Sequence, residues 1–263
     1  MALLAFQFDF HAFAERIISP TPQQWHALAM TVCVAIAAEI FGIVLGAILY
    51  AATRSRFAPL RIAAYLYVLF TRGTPVIVQI FAVFFGANLF LGFDLFPRSA
   101  TLFALTIPGA AIAGVVALGL NEGAYMSETI RAGMDSVDRG QLEAAQCVGM
   151  TKRTATRHII VPQAIRIILP PFGNQFNAML KTTSLLSFIG VPELFQDSQT
   201  LYAQTFQPVE VLSALAIWYL VLTMAWSLVQ IQLERKFGQS DRIENEFWIA
   251  RLLGIQARPG WAR

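Results

Sequence analysis

Charge is scarce in this chain. Only 13% of its 263 residues are Asp, Glu, Lys or Arg, against about 25% in an ordinary soluble domain. That shortage excludes a soluble globular protein. With 56% hydrophobic residues gathered in several long runs, it indicates a polytopic membrane protein. Cysteine is nearly absent: Cys33 lies in an apolar run and Cys147 in a basic loop, so no disulfide framework or thiolate metal site follows. Both are expected to be small packed or surface thiols. His11, His26 and His158 are scattered, which leaves no metal cluster. No G-x-x-x-x-G-K-[ST] phosphate loop and no nucleophile elbow occurs. The chain is not expected to be an enzyme. No catalytic residue, metal ligand or nucleic-acid partner is nominated. The first residues also lack a basic region and a small-residue cleavage site, so the first span is expected to stay as an anchor.

What is present is a series of apolar runs. Residues 1–24 form an amphipathic leader, expected either to lie at a membrane surface or to be poorly ordered. Residues 26–52 are the first strong span, and Glu39 inside it must face protein or a cavity. Residues 59–91 are too long for one simple span and are broken at Thr71-Arg72-Gly73-Thr74-Pro75. The second crossing is read at 74–91, preceded by an interfacial helix. Arg72 is expected to extend to the basic edge of the membrane, with pairing to an internal acid as the alternative. A third span begins near Leu102 and continues through the polar turn Asn121-Glu122-Gly123 to Met134, with Gly109, Gly114, Gly119 and Gly123 suited to close helix packing. A fourth, only moderately apolar, covers 167–191. Residues 193–208 are a polar loop, 209–231 a clean last span, and 239–263 a charged tail.

Five crossings place the termini on opposite sides. Fifteen basic residues, from Arg54 to Arg263, gather on one side; Arg16 and Arg98 stand on the other. The N-terminus is therefore expected outside and the C-terminus in the cytoplasm. The cytoplasmic side then carries a long basic loop, about residues 135–166. In it Asp138 caps a helix over 139–148, with Gln141 completing a capping box and Gly149 ending the helix in a left-handed conformation. Thr151 caps a second short helix that Pro162 stops. Such a loop either docks a partner or rests on anionic lipid.

One set of spacings resembles a known family. Glu143-Ala144-Ala145, three residues, Gly149, nine residues, Ile159, one residue, then Val161-Pro162 is similar to the EAA loop of binding-protein-dependent ATP-binding-cassette (ABC) importers. Val161 stands where the pattern has Leu. Arg72-Gly73-Thr74-Pro75, the run 120–128, Pro170-Pro171-Phe172-Gly173-Asn174-Gln175 and Lys181-Thr182-Thr183-Ser184-Leu185-Leu186 resemble the histidine and glutamine permease branch for polar amino acids. The resemblance implies an all-α, MetI-like type I importer domain over residues 25–238, in the bacterial inner membrane. It implies a permease subunit for amino acids, paired with itself or with a paralogue. An ABC ATPase subunit would hold ATP and Mg and seat the loop through Glu143, Ala144, Ala145, Gly149, Ile159 and Pro162. An extracytoplasmic solute-binding protein would deliver the amino acid.

A zwitterion crossing lipid needs polar groups. Lys181, Thr182, Thr183 and Ser184 are the first candidates for the substrate path, and Asn121 and Glu122 the second. Alternatively Lys181 pairs with Glu122 or Glu39, and the hydroxyls bond their own helix. Related permeases often carry Asp at the position of Thr182, so support for a cationic substrate is weaker here. Two other classes make distinct forecasts. An ion-coupled secondary transporter would show internal repeats, which are not evident. A membrane-embedded enzyme would need convergent catalytic groups.

Overall fold

Helix punctuation explains where the elements lie in the computed structural model, which describes residues 8–92, 95–96, 99–102 and 105–237. Helix α1 is Phe10–Ile18, opened by Asp9, whose carboxylate accepts the N–H groups of His11 and Ala12. Helix α2, Pro22–Thr53, starts on a full capping box between Thr21 and Gln24 with Pro22 at its first position. Helices α3, Ala58–Gly73, and α4, Val76–Leu91, meet at an elbow of 111°. A small antiparallel hairpin, β1 Ser99–Leu102 and β2 Leu105–Pro108, precedes helix α5, Gly109–Asp135. Helices α6, Arg139–Cys147, and α7, Lys152–Ala155, form the basic loop. A π-helical turn, Thr156–Ile160, leads into α8, Val161–Thr182, and a 3₁₀ segment, Thr183–Ile189, follows. Helices α9, Leu194–Thr205, and α10, Pro208–Phe237, complete the described chain. The residues expected as the tail, leader residues 1–7, Asp94 and Arg98 lie outside the described set.

The core is built where α2 and α5 cross. A Cβ placed on Gly42 would stand 2.7 Å from the Cβ of Glu122, so only glycine permits the approach. Ala35, Ala38, Ala117, Leu118, Leu180 and Leu186 pack around that crossing from α2, α5, α8 and the 3₁₀ segment. Helix α2 and helix α10 are long and apolar enough to cross a bilayer, and the bent α3–α4 pair would count as a third span if taken as one. Helices α5 and α8 carry more polar residues.

Four expectations change. Among the described residues the fold is all-helical apart from the hairpin, and α5 starts at Gly109 rather than Leu102, because Pro108 holds its predecessor out of helical conformation. Asn121-Glu122-Gly123 is no turn: α5 runs through it, and Gly123 serves close packing against Leu45. The described part of the leader, from residue 8, is neither loose nor simply interfacial. It docks on α10 through Asp9 N–H to Glu210 Oε1 (3.0 Å), Arg16 Nη2 to Gln207 Oε1 (2.9 Å) and Trp218 Nε1 to the Arg16 carbonyl (3.2 Å). Finally, Pro162 does not stop a helix. The wider π turn before it accommodates the residue that cannot donate, and helical structure continues to Thr182.

Candidate functional site

The polar side of the bundle begins at the α3–α4 elbow. Pro75 has no N–H and holds Thr74 extended (φ −117°, ψ 146°), which frees the carbonyls of Thr71 and Thr74. Gln79 gathers them. Its Nε2 lies 2.7 Å from Thr71 O, 3.2 Å from Thr74 O and 2.8 Å from Thr74 Oγ1. Its Oε1 accepts from Asn121 Nδ2 at 3.0 Å. The Tyr67 hydroxyl donates to the Leu120 carbonyl at 2.8 Å. Two side-chain hydrogen bonds thus tie the elbow to α5.

Helical spacing puts Asn121, Tyr125, Glu128 and Thr129 on one stripe of α5. Thr129 Oγ1 lies 3.5 Å from Gln175 Oε1 of α8. Toward the end of α5 the stripe becomes a chain of charges. Arg131 grips Glu128 with both Nη2 (2.7 Å) and Nε (3.3 Å), and its Nη1 stands 3.7 Å from Asp135. Asp135 also meets Arg54 at 3.5 Å. Arg72 approaches Glu128 at 3.6 Å and lies over the Tyr125 ring, 5.4 Å from its centroid. Arg72 therefore pairs with an internal acid instead of reaching for the membrane edge, because the elbow turns it toward α5.

The six expected path residues do not form one cluster. Asn121 belongs to the polar stripe. Glu122, one residue on, is rotated by roughly 100° on the helix and is buried against Gly42 of α2. Lys181 is exposed and makes no ion pair with Glu39 or Glu122. The hydroxyls of Thr182, Thr183 and Ser184 donate to the carbonyls of Ala178, Leu180 and Lys181. Glu39 is buried as expected, and neither carboxyl oxygen has a hydrogen-bond partner; it lines a narrow crevice with Phe176, Trp226 and Gln230. Tyr125, Glu128 and Gln175 lie in the family-like runs of the sequence without being candidates for the path, and Gln79 lies in none of them. The Glu128–Arg131 spacing of three residues was the available signal for one of them.

The basic loop has the expected form with local corrections. Asp138 caps α6 through its side chain and the Gly140 N–H, while the Gln141 N–H goes to the Asp138 carbonyl (3.1 Å), so the capping box is not made. Gly149 is left-handed at φ +85°. Thr151 Oγ1 accepts the Thr154 N–H at 3.2 Å. Glu143, Ala144, Gly149 and Pro162 are exposed; Ile159 is half-buried and Ala145 buried. Most of α6 is exposed, with Ala145 its one buried residue.

On the opposite side of the bundle, Glu193 caps α9. Its carboxylate accepts the N–H groups of Phe195 (2.9 Å) and Gln196 (2.8 Å) and the Tyr219 hydroxyl (3.1 Å). Burial pushes this carboxyl above the usual range; the hydrogen bonds oppose the shift without cancelling it.

Residues 42–239 match the family described as the binding-protein-dependent transport system inner membrane component. The chain is similar to the probable amino-acid permease protein YxeN of Bacillus subtilis (strain 168), 40% identical, with 87% of this chain and 97% of that protein covered. It is also similar to the L-cystine transport system permease protein TcyB of the same organism, 38% identical over 80% of this chain and 84% of the relative. Among solved structures, a crystal structure of an amino acid ABC transporter with histidines overlays with a TM-score of 0.75 at 34% identity, covering 88% of this chain and 99% of that one. With its family match extending over most of the described helices, this chain belongs to the inner-membrane components of binding-protein-dependent transport systems and has their MetI-like ABC importer fold.

Proposed function

We propose that the chain is the permease subunit of an ATP-driven amino-acid importer, paired with a second permease subunit, either a copy of itself or a paralogue. The observation that carries this is the capped helix α6 with its left-handed corner at Gly149, exposed at Glu143, Ala144 and Gly149. A rigid, polar lever of this kind suits a groove on an ABC ATPase. ATP and Mg belong to that partner, and this chain performs no catalysis. Glu143, Ala144 and Gly149 meet the ATPase directly. Ala145, Ile159 and Pro162 shape the lever behind them. An extracytoplasmic solute-binding protein supplies the amino acid from the side where α9 and α1 lie.

The five-crossing topology with the N-terminus outside is retained: α2, α4, α5, α8 and α10 cross, and α6 and α7 face the cytoplasm. The permease domain covers residues 25–238, flanked by the leader and the tail. The path runs along the polar stripe of α5, with Asn121 setting the elbow and Lys181 exposed nearby on α8. Thr182 and Ser184 act there through their free lone pairs, since their protons are already committed; Thr183 is fully buried and is not assigned to the path. Glu122 is no longer assigned to the path.

Purification from membranes tests the class directly. The chain should carry an ABC ATPase with it, and vesicles holding the complex should accumulate amino acid only with internal ATP and external binding protein. Accumulation driven by an ion gradient without ATP would overturn the assignment.

A further inference from the structure

The Arg72–Glu128 pair is unlike the other charge contacts. Among the described residues, two ion pairs join different elements. Arg54–Asp135, at 3.5 Å, sits at the helix ends with the two side chains 62% and 45% exposed. Arg72–Glu128, seven residues and about 10 Å further along α5, is less exposed, and at 3.6 Å it is too long for a hydrogen bond. Among the described residues Arg72 has no hydrogen-bond partner, and its side chain is 45% exposed. A guanidinium with unused donors, steadied by an aromatic face beneath it, is prepared to receive a planar anion.

Glu128 has the complementary property. Arg131 holds it with two contacts, so it stays in place if Arg72 turns away. Its side chain is 29% exposed, which leaves room for a further donor. The pair lies on the stripe that carries Asn121 and Thr129, not on the α2 face where Glu39 and Glu122 are buried.

We propose that Arg72 and Glu128 form a receiving site for the backbone of the transported amino acid, its α-carboxylate on Arg72 and its α-ammonium on Glu128. The proposal rests on the amino-acid importer assignment. Its logic is charge exchange. An ion pair in a low-dielectric setting is costly to separate unless each member gains a new opposite charge at once. A zwitterion supplies both charges and leaves the net charge unchanged. The site reads only what amino acids share, so the side chain is free to vary.

The test uses the complete importer, permease with its ATPase, in detergent and in vesicles. The probes are the standard amino acids and cystine, with the α-amide and the N-acetyl derivative of each one that binds. Binding to the solubilised complex is measured without the binding protein. The parent acid should bind at least about tenfold more tightly than its amide or its N-acetyl form. Arg72→Gln should weaken the parent acid about 10–100-fold and erase the acid-to-amide preference. Arg72→Lys should restore part of it. Glu128→Gln should erase the preference over the N-acetyl form alone. The control Arg54→Gln should change neither ratio. A purely structural staple would weaken acid and amide alike, so an unchanged acid-to-amide ratio in Arg72→Gln overturns the site. If Arg72→Gln does not assemble with the ATPase, the same ratio in Arg72→Lys decides: it must fall below that of the unmodified importer. Vesicles that take up none of the probes with ATP and binding protein would overturn the importer assignment itself; uptake with unchanged ratios overturns the receiving site alone.

Discussion

At the scale of single residues, glutamine and glycine do more structural work here than the charges do. Gln79 satisfies two carbonyls that Pro75 set free, in a part of the chain where water is scarce. Gln79→Leu should therefore destabilise the protein by about 1–3 kcal/mol, the cost of leaving buried acceptors unpaired. Thermal unfolding in detergent, followed by tryptophan fluorescence, measures it. Gly42 works by absence. Gly42→Leu drives a side chain into Glu122 and should lower stability by about 1–3 kcal/mol; Ile36→Leu, on the exposed side of the same helix, should do nothing comparable. Glu193 provides a pH signature. Its carboxyl is raised from an ordinary value of 4.5. Its contribution is therefore fully present below that ordinary value and is lost as pH rises through the raised one. Glu193→Gln should flatten the decline in thermal stability over that window, read from melting curves across acidic to neutral pH.

At the scale of elements, the basic loop was the most legible part of the sequence. Asp138, Gly149 and Thr151 each act by local chemistry, and local chemistry is what a sequence displays. Gly149→Val should cost about 1–2 kcal/mol of left-handed strain in the corner. It should reduce ATPase co-purification and uptake together while the spans stay folded, which limited proteolysis checks. What misled were residues with two uses. Gly123 sits in a run that reads as a polar turn, and only its expected packing role holds: its missing side chain admits Leu45. Pro162 was taken for a stop, yet a π turn precedes it. Arg72 was placed at the membrane edge because its partner, Glu128, lies 56 positions away in the chain. Such pairings depend on the bundle and leave no mark in adjacent residues.

For the whole molecule, hydropathy and charge placement made the class of protein plain, and the EAA-like spacing led to the family. The proposed path was harder to read: neighbours in sequence such as Asn121 and Glu122 point to different sides of one helix. The π turn at Thr156–Ile160 has a consequence at this scale. One extra residue in a helical turn sets the rotational phase between the basic loop and every side chain of α8. Inserting one further residue just after it, beside Gln163, would rotate the rest of α8 by roughly 100° against the loop. The subunit would then be mistimed rather than broken: ATP would still be hydrolysed by its partner, but the strokes would no longer be in step with the face that α8 presents.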